Sequence, residues 1–133
     1  MGAWGVGHFE NDDAQDWAED LNQADSLDAV EEAIEAVEAG GDYLEAPDAC
    51  VGLAAAEVVA ATLGNPADDL PDPIATAVAR LEDPADEDLV ARARAAVERV
   101  IGEDSELREL WEESDDFDAW ESTIQDLLAR LAG

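Results

Sequence analysis

The sequence predicts an all-α fold: a single compact domain of about seven helices around one central buried helix, Pro47 to Leu63. Three observations carry this reading. No segment alternates apolar and polar residues with β-branched enrichment, so strands are absent or trivial. Apolar residues recur at three- and four-residue spacing between recognisable start and stop residues along the whole chain. The stretch PDACVGLAAAEVVAATL is apolar on every side, with Glu57 the charged residue in its interior, which is the pattern of a helix enclosed by others. Its length is marginal for a bilayer, and Glu57 together with the lack of flanking Lys or Arg argues against a span.

Taken in order, the chain opens on a glycine-rich segment, residues 1–11, that packs on the helical body, with Gly2, Gly5 and Gly7 allowing close backbone approach. Asn11 is placed as N-cap of a first helix that runs to about Asn22, with Asp12, Asp13 and Asp16 at its positive end and Ala14, Trp17, Ala18 and Leu21 on its apolar face. Ser26 is the expected cap of a second helix whose Leu27, Val30, Ile34 and Val37 form a stripe, ended by Gly40 and Gly41. Tyr43 and Leu44 are expected to tuck onto the core before the central helix. After the loop NPADDLPD, Asp72 and Pro73 start a short helix, and Asp83 and Pro84 a longer one that leaves Arg92 and Arg99 outside and Arg94 at the flank. Ser105 caps a brief helix bearing Leu107, Leu110 and Trp111. Asp115 or Asp116 caps the last helix, where Phe117, Trp120, Ile124, Leu127, Leu128 and Leu131 share a narrow arc.

The charge is extreme. Of 133 residues 36 are acidic and 6 basic, a net charge of −30, and all six bases are Arg. No Arg precedes Arg80, so the first 79 residues carry more than half the acids and no base. A folded chain of this mass exposes roughly 6,700 Å², which places net charges about 15 Å apart. That spacing is close enough to a Debye length of ~10 Å at 0.1 M salt for self-repulsion to be felt, and adaptation to high salt is the expectation that follows. Direct nucleic-acid binding is disfavoured, because neutralising phosphates needs Lys or Arg. A DNA-mimic protein remains an alternative reading of the same carboxylates. The lone Cys50 excludes a disulfide framework, and Met1 to Val6 has no signal-peptide character, so a cytoplasmic location is expected.

The opening MGAWGVGHFENDDAQDW follows the pattern M-G-x-W-G-x-G-x-F-x-N-D-D-A-x-D-W, met at Met1, Gly2, Trp4, Gly5, Gly7, Phe9, Asn11, Asp12, Asp13, Ala14, Asp16 and Trp17. This resembles the opening of an uncharacterised prokaryotic domain family, DUF4259, and the AAAEVVAA around Glu57 is similar to that family's middle segment. The resemblance implies identity without chemistry, since no activity comes with it.

Catalytic groups are scarce: one His, one Cys, one Tyr and no Lys. No Ser-His-Asp order, phosphate-binding loop or dinucleotide fingerprint is present. The metal-site alternative is His8 with Asp12, Asp13 and Asp16, which would make a divalent-metal-binding protein or a metal-dependent hydrolase; its weakness is a single nitrogen ligand. No cofactor is expected. Glu57 is the most informative residue, because a carboxylate in so apolar a helix must find donors, reach water or take up a proton. The expectation is that it is buried and pins the segment Gly2 to Gly7, including the Trp4 indole, to the core. The structural motif expected is therefore Trp4, Asn11, Asp12, Asp13, Asp16, Trp17 and Glu57. The function that fits best is a small non-enzymatic protein-interaction or regulatory module, immunity-like, with a protein partner and with neither nucleic acid nor membrane.

Overall fold

The computed structural model describes residues 12–21, 27–39, 41–67, 70, 72–81 and 84–132. Seven helices form among them: α1 (Asp12–Leu21), α2 (Asp28–Glu38), α3 (Ala46–Thr62), α4 (Asp72–Arg80), α5 (Glu87–Val100), α6 (Glu106–Glu112) and α7 (Phe117–Leu131). No sheet accompanies them; the extended contact among the described residues is an isolated parallel bridge of Leu44 with Ser105. The expected all-α domain is what forms, and α3 touches each of the other six helices.

The central position of α3 follows from its composition. Ala49, Cys50, Gly52 to Ala56 and Val58 to Ala60 are all buried, and with Glu57 the run from Gly52 to Ala60 has no solvent face over about two and a half turns. Small residues let its neighbours approach closely, and Gly52 is the extreme case: a Cβ there would run into Cγ2 of Val37 on α2. The helix stops where glycine permits. Gly64 has φ +86°, its N–H donates to the Ala61 carbonyl at 3.1 Å, and the Asn65 N–H donates to the Ala60 carbonyl at 3.0 Å, the paired bonds of a Schellman ending. At the other end Pro47 sits in the first turn, and the Ala46 N–H is satisfied from a distance by Glu106 Oε1 on α6, at 2.7 Å.

Several local expectations are corrected. The helix expected from Asp83 and Pro84 begins at Glu87. Asp86 is its cap, accepting from the Leu89 N–H at 2.8 Å, and Ala85 is held out of the helix because its N–H donates to Thr62 Oγ1 at the end of α3. Asp83 itself lies outside the described residues. Tyr43 is 45% exposed and does not tuck in, whereas Leu44 is fully buried. Neighbouring side chains of an extended segment point to opposite sides, so burying Leu44 turns Tyr43 outward. Arg92 and Arg99 are half-buried, not outside, while Arg94, expected at the flank, is exposed; the Arg99 guanidinium donates to the Gly41 carbonyl.

Asp116 occupies the N-cap position of α7 but makes no side-chain cap bond, because its ψ of 12° is not the extended conformation that a cap needs. At α2 the N-cap position is Leu27, without a side-chain bond, and the expected cap Ser26 lies outside the described residues. Ser105 does cap α6 as expected, accepting from the Arg108 N–H at 3.3 Å. The α6–α7 corner is aromatic: Trp111 stacks on Trp120 at 6.2 Å, Phe117 tilts against Trp120, and the Arg108 guanidinium lies 5.8 Å from the Phe117 centroid.

Candidate functional site

Glu57 is buried as expected, at 3% exposure. Its partner among the described residues is Arg130, near the end of α7. The guanidinium grips the carboxylate with both nitrogens, Nη1 to Oε1 at 2.7 Å and Nη2 to Oε2 at 3.0 Å. This planar two-bond geometry is the strongest form of the pair. Asp126, one turn earlier on α7, takes Nε at 2.8 Å. The backbones join in, with Asn65 Nδ2 donating to the Arg130 carbonyl at 3.1 Å and Arg130 Nη1 reaching the Asn65 carbonyl at 3.4 Å. Hydrogen bonding to Glu57 first, and then attraction to Glu57 and Asp126, hold the guanidinium well above its ordinary range against the opposing effect of burial. The cluster is a permanent ion pair that fastens α7 to the C-terminal end of α3. The segment expected to meet Glu57, Gly2 to Gly7, lies outside the described residues.

Arg130 is the site residue that sequence reasoning missed. A signal existed: a buried Glu needs a donor, six cations are on offer, and Arg130 lies between Leu127 and Leu131 on the helix with the clearest apolar stripe. The glycine-rich opening offers N–H groups of the same kind, so the sequence leaves the choice of donor open.

The other described Arg side chains repeat one use. Arg92 pairs with Glu38 at the end of α2, at 2.9 and 3.2 Å, and lowers that carboxyl below its ordinary range. Arg99 donates to the Gly41 carbonyl just past the same end, and Arg108 Nη1 donates to the Ile101 carbonyl at the C-cap of α5, at 2.6 Å. Four of the six cations are thus held at or next to helix C-terminal ends, where the dipole and unsatisfied carbonyls favour them. They are committed inside the fold. Carboxylates crowd the outside of α1 and α2: Asp12, Asp13, Asp16, Glu19 and Asp20 on α1, and Glu31 and Glu32 on α2, are all exposed.

Of the metal-site alternative, Asp12, Asp13 and Asp16 lie in the first turns of α1, exposed, and His8 lies outside the described residues, as do Trp4 and Asn11. Among the described residues no group of three or more His, Cys, Asp or Glu is arranged to hold a metal ion. Cys50 is buried, and that burial, with Asp13 nearby, pushes its thiol up to about 12, so it is not a nucleophile at neutral pH. Two recesses are lined by described residues. One, of about 500 Å³, is lined by Gly41, Asp42, Arg99, Gly102, Glu103 and Asp104. The other, of about 310 Å³, is a groove where Trp17 and Asp20 of α1 face Ala29, Glu32 and Ala33 of α2 over Val51 of α3. Trp17 therefore has a place at a surface, although it was expected only as part of a structural motif. No described helix is long and apolar enough to cross a membrane.

No curated protein and no solved structure matches the chain. A family model does match, over residues 2–123, and it is that of a domain of unknown function, DUF4259. The match takes in all of α1 to α6 and the first half of α7, so it covers the central helix and Glu57 as well as the opening, and stops short of Asp126 and Arg130. The chain belongs to the DUF4259 family.

Proposed function

We propose that the protein is a non-enzymatic interaction module, of the kind a regulatory or immunity protein uses, acting in the cytoplasm on a basic protein partner. One observation carries this reading. Four of its six cations are engaged in holding helix ends, and exposed carboxylates, Asp12, Asp13, Asp16, Glu19 and Asp20 on α1 with Glu31 and Glu32 on α2, crowd a strongly negative face. Such a face steers a cationic partner by long-range attraction and rejects anionic ones. The chemistry at hand supports the same choice: the buried ion pair is locked, and the thiol is held protonated.

The acidity also suits a chain adapted to high salt, and the two readings coexist, since adaptation sets the charge and a partner uses where it is concentrated. The test is affinity capture with the full chain as bait at physiological salt, read by mass spectrometry. Recovery of one stoichiometric partner with a basic surface is expected. Repeated recovery of none would overturn the reading.

A further inference from the structure

The groove between α1 and α2 has an apolar floor. Ala33 is buried, Trp17, Ala29 and Val51 are half-buried, and the two walls end in exposed carboxylates, Asp20 on α1 and Glu32 on α2. Helical spacing extends the α1 rim: Asp13 stands one turn before Trp17.

We propose that this groove docks an amphipathic helix of a partner protein, which seats an apolar side chain against Trp17 and Val51 and sets Lys or Arg over Asp13, Asp20 and Glu32. The inference rests on the interaction reading above and gives it a place and a partner chemistry. Charge decides the occupant. A second copy of this chain, a nucleic acid and an anionic membrane would each bring negative charge to a negative rim. A partner rich in Lys or Arg is attracted to it. Geometry decides the form. Among the described residues no sheet edge is available for strand addition, whereas two helices flanking a third make a trough of the kind that receives a helix through apolar anchors three or four residues apart. A tryptophan at the floor is the residue type that most often carries binding energy in such a contact.

The probe is a short synthetic amphipathic helix with Leu on one face and Lys on the other, labelled for fluorescence anisotropy and measured at about 0.15 M salt. The control is the same peptide with Ser in place of Leu. Binding of the Leu-Lys peptide is expected, with backbone amide shifts in the protein concentrated at Trp17, Ala29, Ala33 and Val51. The Val51→Gln variant and the Asp20→Asn/Glu32→Gln variant should each weaken it about tenfold. The Asp115→Asn/Asp118→Asn variant, which removes the same charge from exposed positions near the start of α7, should leave affinity within about twofold. The rim substitutions are on the surface and keep side-chain shape, so loss of folding cannot stand in for loss of binding. Equal weakening by the two double variants, or equally tight binding of the Ser peptide, would show diffuse charge attraction and overturn the groove. The interaction reading would survive that result, because it stands on capture of a native partner. A captured partner that binds the Val51→Gln variant as tightly as the parent would likewise remove the groove and leave the reading in place.

Discussion

Arg130→Met tests the link between α3 and α7 most directly. Methionine keeps a straight apolar stem of similar reach but takes away the two bonds that Glu57 receives at 2.7 and 3.0 Å, the bond to Asp126, and the bond to the Asn65 carbonyl. Breaking a buried ion pair by removing one partner costs ~3–5 kcal/mol, most of it the penalty of a carboxylate left in a poorly solvated place. The Glu57 side chain is 4% exposed and the Arg130 side chain 17%, so water reaches the arginine side, and the lower end, ~3 kcal/mol, is the expected loss. For a domain of this size that lowers the melting temperature by ~10 °C. Equilibrium unfolding should be followed in urea, because guanidinium chloride is a salt and would screen the surface charge at the same time. Arg130→Lys keeps the charge without the two-pronged geometry and should lose less, ~1–2 kcal/mol. Combining Glu57→Met with Arg130→Met should recover most of the loss, since well-packed apolar residues often replace a buried pair at no net cost. An Arg130→Met protein that unfolds at the same urea concentration as the parent would refute the pair as the fastening of α7.

The remaining outcomes follow from other parts of the fold. Gly52→Ala should destabilise by ~1–2 kcal/mol in urea unfolding, because overpacking against Val37 outweighs the ~1 kcal/mol helix-propensity gain, and Val37→Ala in the same chain should relieve part of the loss. Glu38→Gln breaks an ion pair whose carboxylate side is 41% exposed, so it should cost no more than ~1 kcal/mol, far less than breaking the Glu57 pair. Raising NaCl from 0.1 M toward ~1 M should raise the melting temperature, with KCl acting alike, because screening does not depend on which monovalent cation supplies it; a flat response would show that the −30 charge is carried without strain. The Cys50 thiol is pushed up to about 12 from 9.0, so below pH 9 both folded and unfolded chains hold the proton, and above it the unfolded chain releases its proton first. Stability should therefore fall as pH rises from 9 toward 12, and Cys50→Ala should flatten part of that fall in urea midpoints measured across the range.

By itself the sequence determined what short-range physics decides. Apolar spacing marked all seven helices, all-round apolarity marked α3 as the centre, and Pro47 and Ser105 marked helix starts, because caps depend on residues within one helical turn. The burial of Glu57 was equally legible, since its neighbours in sequence leave it no aqueous face. What tertiary structure alone decided were the long-range pairings. Arg130 meets Glu57 across 73 residues, Glu106 completes the start of α3 across 60, and Thr62 delays the start of α5 by holding Ala85. The groove at Trp17 likewise exists only because α1 and α2 settle on either side of Val51. A local pattern says that a buried carboxylate needs a donor or a helix end needs a cap. It does not say which of several chemically adequate groups arrives, because that depends on how the apolar faces pack, and packing is a property of the whole chain.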